Sequence, residues 1–107
     1  MALLMNEHDK SVKANGRTVY LTPKEWGIMD FLKNNPDTVF TAEEIYQQVW
    51  QSEPFDCSGI IAVHLRHIRE KIEPDPSHPS LIKSLWGRGY RYCANNCNQS
   101  PATGFFQ

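Results

Sequence analysis

The sequence predicts an α+β domain in which an N-terminal antiparallel sheet is followed by three helices and a C-terminal β-hairpin. Three observations predict it. Asn15-Gly16 separates two strand-like arms near the start, and such a pair accepts positive φ and marks a two-residue hairpin. Three apolar stripes at helical spacing follow, two of them opened by Thr-x-x-Glu boxes. Finally, Trp86-Gly87-Arg88-Gly89 interrupts two further strand-like runs.

Each element has its own residues. Ser11–Ala14 and Arg17–Leu21 are the arms of the first hairpin, and Ala2–Met5 is expected to add a third strand. Thr22-Pro23-Lys24-Glu25 opens the first helix: Thr22 caps it, Pro23 suits the first turn and Glu25 reaches back to complete a capping box. Trp26, Ile28, Met29, Phe31 and Leu32 form its apolar stripe, and Asn34-Asn35-Pro36 stops it. Thr41-Ala42-Glu43-Glu44 is a second capping box, followed by Ile45 and Val49 one turn apart, an offset repeated by Tyr46 and Trp50. Residues 58–73 form the longest pattern, with Ile61, Leu65, Ile68 and Ile72 on one face. Pro74, Pro76 and Pro79 end it. Leu81–Leu85 and Tyr90–Cys93 are the arms of the second hairpin. The expected organisation is one domain over residues 1–94 and a polar, breaker-rich tail over 95–107.

Composition narrows the function. With 107 residues, a 40% hydrophobic and an 11% aromatic fraction, the sequence is enough for one modest core, and a second domain of ordinary size does not fit within it. No apolar run reaches the ~18 residues of a membrane span. Three cysteines, Cys57, Cys93 and Cys97, make no disulfide framework, so a reducing cytoplasm is the expected setting. The net charge of −1 excludes a globally basic nucleic-acid binder, but not a locally basic one. Residues 22–56 carry two lysines against seven carboxylates, whereas residues 57–92 carry six Lys and Arg against three. The C-terminal half could therefore face a polyanion. His64 and His67 beside Cys57 lack a further ligand to complete a metal site. No nucleophile motif, P-loop or GxGxxG is present, so neither an enzyme nor a cofactor is expected.

Three helices followed by a Gly-rich hairpin with a basic tip describe a winged helix-turn-helix. A helix fits the major groove of B-DNA, and a hairpin beside it can lie against the backbone or the minor groove. The pattern over 58–73 has the two faces this needs. Ile and Leu line one side, and Val63, Arg66, His67 and Glu70 the other, with Arg69 and Lys71 at the flanks. The reading requires Arg66 and His67 to stand clear of the rest of the fold.

The blocks LTPKEW (21–26), VFTAEEIYQQVW (39–50), VHLRHIREKIEPDPSHPSLIKS (63–84) and WGRGYRY (86–92) occur in the order and spacing of a known family. From about residue 3 to residue 93 the chain resembles the effector domain of OmpR/PhoB-type two-component response regulators. The resemblance implies a four-stranded N-terminal sheet, with this chain beginning inside its first strand, then three helices and a wing. It also implies a receiver domain, for which these residues leave no room.

What the resemblance implies for DNA contact falls on Ile60, Val63, His64, Arg66, His67 and Arg69 of the recognition helix. Val63 is placed to touch a thymine methyl. His67 stands where many members carry a base-reading Arg, and a single imidazole cannot make the bidentate fork that Arg makes with guanine. Gly59 stands where some members carry a phosphate-binding Arg. Trp50, Ser84 and Tyr90 match phosphate-contacting positions. Trp86 occupies a position that is Arg or Trp across the family, and Arg88 at the wing tip can supply charge instead. The loop Gln51–Cys57, with Glu53, Phe55 and Asp56, lies where some members touch RNA polymerase. The implied mode is a domain that is monomeric alone and paired head-to-tail on direct repeats in double-stranded DNA. With histidines on the proposed face, acidification should strengthen binding. The competing function is a protein-interaction module, towards which the net negative charge and the missing Arg at 59 and 67 lean.

Overall fold

A computed structural model describes residues 3–93; the expected tail at 95–107 and Cys97 lie outside the described residues. Strands β1 (Leu4–Asn6), β2 (Ser11–Ala14) and β3 (Arg17–Tyr20) form an antiparallel meander in the order β1-β2-β3. Helices α1 (Pro23–Asn34), α2 (Ala42–Trp50) and α3 (Ser58–Ile72) follow, and β4 (Ile82–Leu85) and β5 (Gly89–Tyr92) pair as a separate hairpin. The four-stranded N-terminal sheet implied by the resemblance is thus three-stranded among the described residues. The third strand starts later than expected from Ala2–Met5, because its pairing runs from Leu4↔Lys13 to Asn6↔Ser11.

Local chemistry sets the boundaries. Asn15 and Gly16 take φ of 56° and 77°, as the two-residue turn requires. Both capping boxes form. Thr22 N–H donates to Glu25 Oε1 at 3.0 Å, and Glu25 N–H to Thr22 Oγ1 at 3.2 Å. The Thr41–Glu44 box repeats this at 2.9 and 3.1 Å. Helix α1 stops at Asn34, where the Asn35 side chain donates to the Phe31 carbonyl. Helix α3 starts without a side-chain cap at the buried Cys57. It stops one residue before the expected 73, because Glu73 is already extended.

The core lies between the helices and the two sheets. Ile61, Leu65, Ile68 and Ile72 are fully buried, as the sequence pattern predicts. They meet Ile28, Met29 and Leu32 from α1, Ile45 from α2, Val12 from β2, and Ile82 and Tyr92 from the wing. Each such side chain contributes about 1.5–3 kcal/mol by leaving water. Phe31, predicted within the α1 stripe, is only half-buried and rests on Phe40 with ring centroids 4.5 Å apart. Among the described residues no helix is long and apolar enough to cross a membrane.

Two devices fix the wing. Phe40 and Tyr90 exchange backbone hydrogen bonds of 2.9 and 2.8 Å, which joins β5 to the segment before α2. Gly89 permits this approach: its φ is 141°, and a Cβ there would overlap the Phe40 carbonyl. On the other side, the buried Glu73 carboxylate accepts from the N–H groups of Ser80 at 2.9 Å, Leu81 at 3.0 Å and Ile82 at 2.9 Å. The chain leaving α3 is thereby turned back along the helix as β4.

Candidate nucleic-acid interface

Helix α3 turns its Ile/Leu face inward, so the residues between must face out. Val63 keeps 45% and Ile60 39% of its surface exposed, and Arg66, His67 and Glu70 are exposed beside them. The requirement that Arg66 and His67 stand clear of the fold is therefore met. At about 100° per residue, Arg69 falls on the flank that meets the wing, and Lys71 and His64 fall on the flank towards the other helices.

Those flanking side chains are engaged. Arg69 Nε donates to the Ile82 carbonyl at 3.0 Å, and its Nη2 donates to Ser84 Oγ at 2.8 Å. Burial pulls the Arg69 guanidinium below its ordinary pKa, and the opposing influence of Glu73 and Tyr90 recovers part of this. Lys71 Nζ donates to Glu25 Oε1 at 2.7 Å and to the Tyr20 carbonyl at 2.9 Å, which takes it off the outer crest. His64 Nδ1 lies 2.8 Å from the Ile60 carbonyl. A carbonyl can only accept, so this nitrogen carries the hydrogen. The His64 ring also stands edge-on to Trp50 at 5.3 Å. His67 Nδ1 is 3.9 Å from Glu25 Oε2.

Trp50 is half-buried at the end of α2, stacked on Tyr46 at 4.8 Å, with Lys24 Nζ 5.1 Å from its ring centroid. In the wing, Ser84 and Tyr90 are direct cross-strand partners. Period-two alternation puts them on the face that also carries the buried pair Ile82 and Tyr92. Ser84 is exposed and Tyr90 half-buried. At the tip Trp86 is 98% exposed and Arg88 is exposed, above a turn closed by Arg88 N–H to the Leu85 carbonyl at 2.8 Å. Glu53, Phe55 and Asp56 are all exposed in the α2–α3 loop, Phe55 at 85%. The structure thus gathers Ile60, Val63, Arg66, His67 and Glu70 on one crest, carries Ser84, Trp86, Arg88 and Tyr90 on the wing, and joins wing and helix through Arg69.

Sequence reasoning missed Glu73, the anchor of the wing. One signal was available. A carboxylate at a helix C-terminus opposes the helix dipole, and such a residue is kept there by a partner elsewhere.

Residues 16–92 match the family model described as "Transcriptional regulatory protein, C terminal". The chain belongs to this family. Its members are the DNA-binding effector domains of OmpR/PhoB-type response regulators. The chain is 52% identical over 81 residues to the transcriptional regulatory protein YcbL of Bacillus subtilis, covering 76% of this chain and 36% of YcbL. Among solved structures it is similar to the OmpR/PhoB homologue DrrB of Thermotoga maritima, with a TM-score of 0.73 and 30% identity over 85% of this chain and 41% of DrrB. It is likewise similar to the DNA-binding domain of CpxR from E. coli, with a TM-score of 0.69 and 28% identity over 88% of this chain and 93% of that one. The chain therefore spans little more than a third of YcbL. The fold is that of a winged-helix effector domain.

Proposed function

We propose that the chain binds double-stranded DNA sequence-specifically, as the effector part of a transcriptional regulator in a phosphorelay. Helix α3 enters the major groove, and the β4–β5 wing lies against the backbone or minor groove. The observation that carries this reading is the crest of α3, where Val63, Arg66 and His67 are exposed side by side. Val63 offers an apolar surface to a thymine methyl, Arg66 a fork for guanine or phosphate, and His67 a single hydrogen bond. Ser84, Tyr90 and Trp50 contact phosphates, Arg88 adds charge at the wing tip, and Trp86 packs at the sugar edge. Two copies bind head-to-tail on direct repeats. The solved DNA-binding domain of CpxR supports the reading at the level of the family.

Selection of bound sites from random duplex DNA tests it, followed by titration of the selected site at several salt concentrations. With about five to seven phosphate contacts, log K should fall with log[salt] at about −0.9 per contact. Arg66→Ala should abolish most of the specific affinity. Arg66 is a cleaner probe than Arg69, whose guanidinium already bonds the wing. Failure to enrich any sequence, or a flat salt plot, would refute the reading.

The reading extends to RNA polymerase as a partner of the α2–α3 loop, supported by the exposure of Phe55 between two acidic residues. Phe55→Ala should leave DNA affinity intact and lower activated transcription; loss of both together would remove this role.

A further inference from the structure

Arg69 connects the recognition helix to the wing. Its Nε and Nη2 reach two points on β4, the Ile82 carbonyl and Ser84 Oγ. Just past the end of α3, four residues on from Arg69, Glu73 holds the amides of Ser80, Leu81 and Ile82. Strand β4 is therefore fastened to α3 at two places, and Arg69 is the fastening at the exposed end.

The second Arg69 bond has a chemical consequence for Ser84. A guanidinium N–H only donates, so Ser84 Oγ must accept from it. A serine hydroxyl has one O–H and two acceptor positions. With an acceptor position filled by a cationic donor, the O–H is the group left for an outside partner, and Ser84 is exposed. A charge-assisted bond also polarises the hydroxyl and makes it a better donor. A DNA phosphate accepts only.

We infer that Arg69 is a positioning residue for DNA binding: it locks the wing to α3 and sets the Ser84 hydroxyl as a donor to phosphate. The inference rests on the DNA-binding reading above. It differs from direct phosphate contact by Arg69 in what a conservative change does. Lysine at 69 keeps the charge and could still touch a phosphate, but it is a single point donor without the fork that spans Ile82 and Ser84.

The test uses the 107-residue chain and the duplex selected by it, titrated at several salt concentrations. Ser84→Ala should weaken binding about tenfold, the loss of one hydrogen bond to a charged group. Ser84→Thr should restore most of it. Arg69→Lys should weaken binding to a similar degree with an unchanged salt slope, and the double variant should bind no more weakly than the weaker single one. Thermal unfolding shows whether Arg69→Lys folds; a folded Arg69→Lys that binds like the unaltered chain would overturn the inference. If it does not fold, Arg69→Gln takes its place: weaker binding with an unchanged salt slope supports a positioning role, and a slope shallower by about 0.9 means direct phosphate contact and overturns it. Ser84→Ala binding like the unaltered chain, or multiplying effects in the double variant, would overturn the inference and leave the DNA reading standing. Absence of binding by the unaltered chain would overturn both.

Discussion

Lys71 Nζ donates to Glu25 Oε1 at 2.7 Å and so ties the recognition helix to the capping box that opens α1. The same ammonium donates to the Tyr20 carbonyl at the end of β3, and one cation thereby joins three elements. Glu25 keeps 5% of its side chain exposed and Lys71 32%. Removing the ammonium leaves a buried carboxylate short of its main counter-charge. Lys71→Met should therefore lower the unfolding free energy by about 2 kcal/mol, below the 3–5 of fully buried pairs because water still reaches Lys71. Urea unfolding at neutral pH measures it. A loss of about 0.5 kcal/mol or less would reduce the pair to an ordinary surface contact.

The same carboxylate makes stability depend on acid. Burial pushes the Glu25 carboxyl up, but the bond and charge of Lys71, the Thr22 amide and the charge of His67 together outweigh it, so it sits below the ordinary 4.5. A carboxyl lowered on folding stabilises fully above its unfolded value and loses that contribution as pH falls through its folded value. The loss therefore begins near 4.5 and grows downward. Glu25→Gln should be less stable at neutral pH yet lose less on acidification. Thermal unfolding from about pH 7 to pH 3 compares the two. Parallel curves for the two proteins would show that Glu25 does not govern the acid limb.

Glu73 satisfies three backbone N–H groups that lie at the root of the wing. Glutamine at this position retains one carbonyl oxygen and brings an NH2 group against donors, so at least one amide loses its acceptor. An unsatisfied buried donor costs about 1–3 kcal/mol. Glu73→Gln should destabilise by that amount, and hydrogen exchange should quicken at Ser80, Leu81 and Ile82 before it does in α1. Uniform quickening across the chain would mean that Glu73 supports the whole core instead of the wing root.

Much of the fold was legible because its signals are local. Asn15-Gly16, the two Thr-x-x-Glu boxes, the proline run after Glu73 and the face Ile61, Leu65, Ile68 and Ile72 each act within a few residues. The exposed crest of Val63, Arg66 and His67 follows from that face by elimination, so it was legible too. The roles of Arg69, Lys71 and Glu73 were not. Each depends on a partner 7 to 51 residues away, and periodicity carries no information on such pairs. Arg69 and Lys71 therefore looked alike in sequence, as cations flanking the crest. In the fold one clamps the wing and the other clamps α1.

Gly59 shows what the crest lacks. It is exposed in the first turn of α3, and a Cβ built there meets nothing within 4 Å. An arginine can therefore be placed without displacing the fold. Its better helix propensity, worth up to ~1 kcal/mol over glycine, offsets the ~0.3–1 kcal/mol cost of a cation near a helix N-terminus. Stability should change little. If α3 enters the groove with this end near the backbone, Gly59→Arg adds a phosphate contact, which steepens the plot of log K against log[salt] by about 0.9 and tightens binding up to about eightfold at 0.1 M salt. Gly59→Ala is the control, since it shares the propensity gain and adds no charge. Equal slopes for the Arg and Ala variants would place this end of the helix away from the DNA backbone and require a different docking angle for α3.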